Sequence, residues 1–364
     1  MRDGERLVRW LTFQEVDRPP YYTSPFTQLS LGWDTTHDQW QRESGLRPLN
    51  ERAYFNLDFG FERVPVPMHV FPPFQREVVE SHGEFYVERD ERGILMRQRR
   101  DKGSIPGFLQ HPVKGWDDWE VMKKERFNPD HPGRWTADWD AVNGYLEATG
   151  SAAVLGQGSC GVFGTPRDMM GAEGVLAAFI EQPALVHDMM DYLTDFWIRI
   201  FDRATEHVKV SCIHIWEDMA GRQGSLISPK MVRDFMMPNY RKIRDFARAK
   251  GIPLISVDTD GNVAELVPLM HENGVNFIFP FEVQAGCDIE DYRRKYPRLG
   301  IAGGLDKRAL AKDRAAIDVE LARAERMLKH RGYLAGPDHL VPPDVSWPNF
   351  VYFMTELRKL AGKK

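Results

Sequence analysis

"IPLISVDTDGNVAELVPLMHENGVNFIFPFEVQAG", residues 252–286, decides how the chain is read. A short apolar run ends in Asp258 and Asp260, a helix-like stretch follows, and a second apolar run ends in Glu282. The same pattern recurs at "AAVLGQGSC" (152–160), "VSCIHIWEDMAG" (210–221), "LGIAGGLDKRAL" (299–310) and "GYLAGPDHLVP" (332–342). Between these runs lie amphipathic stretches with helix signals. Ser228 and Pro229 stand at N-cap and first helical positions of a segment that stops at Gly251, and another segment runs from Asp313 to Gly332. Strands alternating with helices mean βαβ units on a parallel sheet. Six such units, with room upstream for two more, predict an α/β fold, the (β/α)8 TIM barrel. "RPPYYTSPF" (18–26) and "FERVPVP" (61–67) are the candidates for the first strands.

Residues 62–115 break the pattern. "REVVESHGEFYVERDERGILMRQRRDKG" (76–103) alternates apolar and polar at period two, which predicts a β-hairpin region inserted in the N-terminal third. Its basic end, Met96 to Gly103, reads as a solvated turn, and "MHVFPPF" before it as cover for the barrel mouth. No low-complexity linker interrupts the chain, so one domain over 1–364 is expected.

Composition excludes several classes. Net charge is −5 with 28% charged residues, so no basic field calls for nucleic acid or an anionic membrane. The three cysteines, Cys160, Cys212 and Cys287, are isolated, which fits a reducing compartment. "MRDGERLVRW" at the start has no apolar signal region, and no apolar run is long enough for a bilayer; a cytoplasmic protein is expected.

In such barrels the chemistry sits where strands run into their following loops. Successive units place Glu217 and Asp218, Asp258 and Asp260, Glu282, then Asp306, Lys307 and Arg308, then Asp338 and His339 at those points. The balance is acidic, with Arg222, Lys307, Arg308 and His339 facing more carboxylates. Either a divalent cation is bound, or one carboxyl holds a raised pKa and works as an acid. Structural roles are open too: Asp260 as a helix N-cap, Asp258 paired with Arg308, and Lys307-Arg308 paired with Asp306 or Glu282 rather than holding a substrate anion. One of Glu217 and Asp218 is taken as functional. His214, alternating inside a strand, reads as a hydrogen-bonded core histidine, and the cysteines as buried small residues. "GQGSCG" (156–161) matches a dinucleotide fingerprint, but "VFGTPRDMMG" intervenes before the next helix, which argues against a cofactor loop.

"DRPPY" (17–21), "WEDMAGRQGSLISPKMVRDFMMPNYRKI" (216–243), "GGLDKRAL" (303–310) and "GYLAGPDHLVPPDVSWPNF" (332–350) resemble the uroporphyrinogen decarboxylase superfamily, which includes methyltransferases serving corrinoid proteins. The resemblance implies a TIM barrel with its active site at the C-terminal mouth and puts His339 on the family's histidine. Two decarboxylase features have no counterpart: the arginine-rich loop, where this chain reads "YYTSPFTQLS" (21–30), and the catalytic aspartate, absent from "FERVPVPMHVF" (61–71). An acidic mouth also suits a polycarboxylate substrate poorly. In the corrinoid-linked branch a His-x-Cys pair stands where this chain has Asp258-Thr259-Asp260, and a second cysteine where His339 stands.

That branch therefore implies a metal held by Asp258, Asp260 and His339: zinc first, with iron or manganese as harder choices. It implies a methyltransferase-like enzyme acting on a small methylated substrate, with cobalamin carried by a corrinoid partner protein. Glu217, Asp218 and His339 are the catalytic candidates; Arg222, Glu282, Lys307, Arg308 and Asp338 are the substrate-binding ones. The alternatives are a cofactor-free decarboxylase, in which His339 and Asp258 position the proton donor, and a non-catalytic ligand-binding barrel. Pairing of two barrels mouth to mouth as a homodimer is a further family option.

Overall fold

The apolar runs become strands of a single all-parallel sheet. The structure is a computed structural model that describes residues 1–22, 26, 31–100, 106–156 and 160–364. In chain order, β1 (Phe61–Arg63) precedes β2 (Glu77–His82), β3 (Phe85–Arg89), β4 (Leu95–Arg99) and β5 (Gly107–Gln110). Then come β6 (Ala152–Gly156), β7 (Val210–Trp216), the two-residue strands β8 (Ala220–Gly221) and β9 (Gly224–Ser225), β10 (Leu254–Asp258), β11 (Phe277–Phe281), β12 (Gly300–Leu305) and β13 (Tyr333–Pro337). Seven of these pair in the order β1-β6-β7-β10-β11-β12-β13, while β2 to β5 make a separate antiparallel sheet. Outside β1, Phe26 makes a parallel bridge to Phe61. The rest of the candidate strand around it, residues 23–25 and 27–30, falls outside the described residues, as do the tip 101–105 and the centre of "GQGSCG" at 157–159.

The parallel sheet is strongly curled. One apolar cluster takes Phe61 from β1, Val154 from β6, Cys212 from β7, Leu254 from β10, Phe277 from β11, Ala302 from β12 and Leu334 from β13. Residues of the first and last strands thus share one core, closed below by Leu7, Trp10 and Leu11 of the helix Asp3–Leu11. The Trp10 indole N–H donates to the Tyr333 carbonyl at 2.7 Å, tying that helix to β13. Strands buried on both faces are apolar throughout, as β12 is at every residue. Outside, the helices Pro183–Ala204, Arg314–Leu328 and Trp347–Leu360 bury their apolar stripes in a second, larger cluster.

Local signals explain where these helices begin and stop. Ser228 accepts from the Met231 N–H and Asp313 from the Ala316 N–H, each a side-chain N-cap, and Gly251 ends its helix in the left-handed region at φ 66°. The segment 229–250 is not one regular helix: a π-turn at Val232–Met236 precedes the α-helix Met237–Lys250. Pro238 is the physical reason, since it has no N–H to donate back one turn. Among the described residues, no helix is long and apolar enough to cross a membrane.

Candidate functional site

β10 ends at Asp258, and the residues on either side of Asp260, Thr259 and Gly261, aim it. Thr259 is buried and held twice: its N–H donates to the Phe279 carbonyl at 3.1 Å and its hydroxyl accepts from the Met219 N–H at 3.1 Å. Gly261 follows at φ 79°, where a Cβ would lie 2.6 Å from the Gly221 carbonyl oxygen; only glycine fits the turn. Its N–H donates to Glu282 Oε2 at 2.9 Å, linking the loops after β10 and β11.

Asp338, fully buried after β13, does the same for the next loops. Its carboxylate accepts from the Val283 N–H at 2.9 Å and the Lys307 N–H at 3.0 Å. Burial raises its pKa against the pull of the nearby Lys307 ammonium. His339 then projects to Asp260, Nε2 to Oδ2 at 3.5 Å, with its ring stacked on Trp33 at 5.9 Å. One donor atom each from Asp260, Glu282 and His339 lies within 4.8 Å of the others. Burial pushes the His339 pKa down, but hydrogen bonding to Asp260 and its charge outweigh that and leave it raised. Lys307 is the local cation, 3.6 Å from Glu282 and 4.0 Å from Asp338.

This donor set fits a divalent cation. Two carboxylates and one imidazole converge with a single compensating ammonium, and Glu282 is steadied from behind by a backbone N–H. Its membership differs from the sequence-based one: Glu282, expected to bind substrate, takes the place of Asp258. The Asp258 carboxyl receives no hydrogen bond from the described residues. Burial, then the charges of Asp260 and Asp218, push its pKa well above the ordinary carboxylate range. Asp260 is not a helix cap, because the next helix opens only at Leu266.

The remaining candidates separate. Asp218 sits at φ 43°, unusual for a side-chain-bearing residue, and is held by Arg167, whose Nη1 binds both its carboxylate and its carbonyl. Glu217 is turned into the wall and fully buried. Its carboxylate accepts from the Val162, Phe163 and Gly164 N–H groups and from the Tyr240 hydroxyl at 2.6 Å. Burial lifts its pKa to about 7 despite those four donors. Arg308 pairs with Asp306 at 2.7 Å and is exposed, so it does not meet Asp258. Arg222 is exposed at the turn between β8 and β9, beside the loop carrying Asn262. His214 lies inside the sheet with Nδ1 at 2.8 Å from the Ser256 hydroxyl, its pKa pushed down to about 3 by burial. The glycines near "GQGSCG" serve close packing: a Cβ at Gly161 or Gly164 would collide with the Trp216 carbonyl.

Three residues at this end were missed. Trp33 comes from the N-terminal segment, where its N–H bonds the Val341 carbonyl at 3.3 Å. Arg167 sits on a helix that nothing in its spacing marks. Arg63 ends β1 on the face of Phe61, hence inward, and its charge helps depress His214. Only Arg63 carried a signal, the alternation in "FERVPVP".

Residues 85–360 match the family described as uroporphyrinogen decarboxylase (URO-D). The chain belongs to the uroporphyrinogen decarboxylase family. Among solved structures, this URO-D chain is similar to a methyltransferase from Methanosarcina mazei, at 15% identity and TM-score 0.57 over 99% of both chains. That likeness shows a shared fold. A weaker match, at 11% identity and TM-score 0.31, covers 60% of this chain and 61% of a Listeria monocytogenes protein described as a vitamin-B12-independent methionine synthase. No curated protein matches the sequence.

Proposed function

We propose that this URO-D family protein is a metal-dependent, methyltransferase-like enzyme acting on a small methylated substrate, with the cobalamin that gives or takes the methyl group carried by a corrinoid partner protein. The observation that carries the proposal is the convergence of Asp260, Glu282 and His339 within 4.8 Å at the ends of three parallel strands. Bound there, a divalent cation (zinc first, iron or manganese otherwise) supplies Lewis acidity toward a substrate oxygen or nitrogen. The chain's own residues do the rest. Trp33 walls the site on the His339 side, and Asp218, held by Arg167, exchanges the proton. Arg63 and Arg222 orient an anionic part of the substrate. In this reading the curled sheet is a closed eight-stranded barrel within one domain, with Phe26 at the place of the eighth strand, and the sheet β2 to β5 covers the mouth.

A decarboxylase is the second reading, favoured by the family match itself. Against it stands the engagement of the cations: Lys307 by Glu282 and Asp338, Arg308 by Asp306, Arg167 by Asp218. A substrate rich in carboxylates needs such groups available. The test is an assay of zinc-, iron- and manganese-loaded protein with methylated oxygen and nitrogen compounds and cob(I)alamin, followed by the absorbance of methylcobalamin. Methyl transfer that disappears in Glu282→Ala supports the proposal. Release of carbon dioxide from a carboxylate substrate by metal-free protein would replace it with the second reading.

A further inference from the structure

The opposite end of the sheet holds a cavity of a different character. The segments entering β12 and β13 and the turn after the helix Asp3–Leu11 border an open pocket of about 820 Å³. Five cationic side chains line it against one carboxylate, in a chain whose net charge is −5. That carboxylate, Glu290, is already taken by Arg326 at 2.8 Å. Lys329 has no charged partner among the described residues, and Arg331 has only exposed Glu15, at 3.7 Å.

Arg293 is the unusual member. It is 6% exposed, and its Nη1 donates to the Pro297 and Leu299 carbonyls at 3.0 and 2.8 Å. Nε and Nη2 have no hydrogen-bond partner, and no carboxylate of the described residues pairs with the guanidinium. A buried cation without a counter-ion is costly, by several kcal/mol in general. The strain shows in its pKa, which burial drags down to about 10. The Phe13 ring lies over the guanidinium at 5.3 Å. Phe13 occupies the left-handed position that ends its helix, φ 63°, where glycine is usual. Gly332 faces that ring, and a Cβ there would come within 2.4 Å of it. An aromatic side chain in a glycine position and a glycine opposite it together hold the ring on the buried charge.

We infer that the missing counter-ion is a ligand, and that this cavity binds a phosphate-bearing organic anion. The sheltered Arg293 guanidinium acts as a fixed, uncompensated charge, which a low-dielectric wall makes strong in the cavity. Lys329 and Arg331 at the rim supply the direct donors, and Phe13 and Met327 take the organic portion. The volume exceeds what a bare phosphate needs and lies in the ordinary range for small-molecule sites. The site is separate from the acidic mouth: the two lie at opposite ends of β12 and β13. This inference stands independently of the proposed activity.

Isothermal titration calorimetry of the full chain with ADP, pyrophosphate and adenosine tests it. ADP binds, pyrophosphate binds more weakly, and adenosine does not. Lys329→Glu weakens ADP at least about tenfold, while His339→Ala leaves it unchanged because the mouth is not involved. Arg293→Met abolishes binding with an unaltered circular-dichroism spectrum; should that variant not fold, Lys329→Glu, at an exposed position, decides alone. No heat with ADP at millimolar concentration, or equal affinity in Lys329→Glu and wild type, overturns the inference.

Discussion

His339 Nε2 stands 3.5 Å from Asp260 Oδ2, and the face of the same imidazole rests on Trp33 at 5.9 Å. The histidine is thus fixed by an acid on one edge and an indole on one face, with Glu282 close enough to share a ligand with both. The three groups come from different strand ends, held in register by backbone N–H bonds to Glu282 and Asp338.

Trp33 follows as a positioning residue. An aromatic pair contributes about 0.5–1.5 kcal/mol beyond area burial, which corresponds to roughly a two- to tenfold rate effect, and the upper end applies where the ring fixes a ligand. Trp33→Ala is expected to lower kcat/KM about tenfold in the methyl-transfer assay, and Trp33→Phe to restore most of it. Equal losses in both variants would mean the indole does something other than stack.

Asp218 is expected to matter for turnover more than for folding. Asn tolerates the left-handed backbone at φ 43°, so Asp218→Asn removes the charge without adding strain. The Arg167 pair is partly exposed, so its loss costs at most about 1 kcal/mol in urea unfolding. Loss of a proton-transfer group lowers kcat by roughly 10²–10⁴-fold. An unchanged kcat would remove Asp218 from the chemistry.

Glu217 predicts a pH-dependent stability difference. Its folded pKa, about 7, lies above the ordinary carboxylate value, so the folded state binds the proton more tightly than the unfolded chain. Its contribution therefore falls as pH rises from about 4.5 to 7. Glu217→Gln loses acceptors for the N–H groups it faces and is destabilised by roughly 1–3 kcal/mol at acid pH. That deficit should shrink, by on the order of 3 kcal/mol at most, between pH 5 and pH 8. Urea denaturation of both proteins at the two pH values measures it; a constant difference would contradict the assigned ionisation.

Asp58 predicts the opposite sign. Burial opposes its charge, but Arg18 at 2.6 Å, Lys363 at 2.7 Å and the Tyr21 N–H outweigh it and hold its pKa low. Its contribution is present above the unfolded carboxylate value and lost as pH falls through the folded one. Asp58→Ala strands the partly buried Arg18 and Lys363 and is expected to destabilise by about 3–5 kcal/mol at pH 7, read by urea unfolding. A loss below about 1 kcal/mol would contradict the network.

Much of the architecture was legible because parallel strands buried on both faces are runs of apolar residues with fixed breaks. The strand ends then pointed to Asp260, Glu282 and His339 together. What the pattern did not reveal was their grouping. Asp258 and Asp260 were expected to share a direction as residues two apart on a strand, but β10 ends at Asp258 and Thr259 is pinned to β11 and to Met219. The alternation rule stops with the strand, and Glu282 occupies the place given to Asp258. Glu217 shows the same limit: a carboxylate at a strand end looks alike in sequence whether it faces the mouth or three backbone N–H groups. Trp33 lay out of reach because the contact with His339 spans most of the chain and follows no period.

The most direct test is metal content by elemental mass spectrometry on protein purified without chelator or metal-affinity tag. The account predicts about one equivalent of zinc, iron or manganese, lost in Asp260→Ala, Glu282→Ala and His339→Ala and kept in Asp258→Ala. Protein that holds no metal and gains none when these ions are added would contradict it. So would a metal lost in Asp258→Ala and retained in Glu282→Ala.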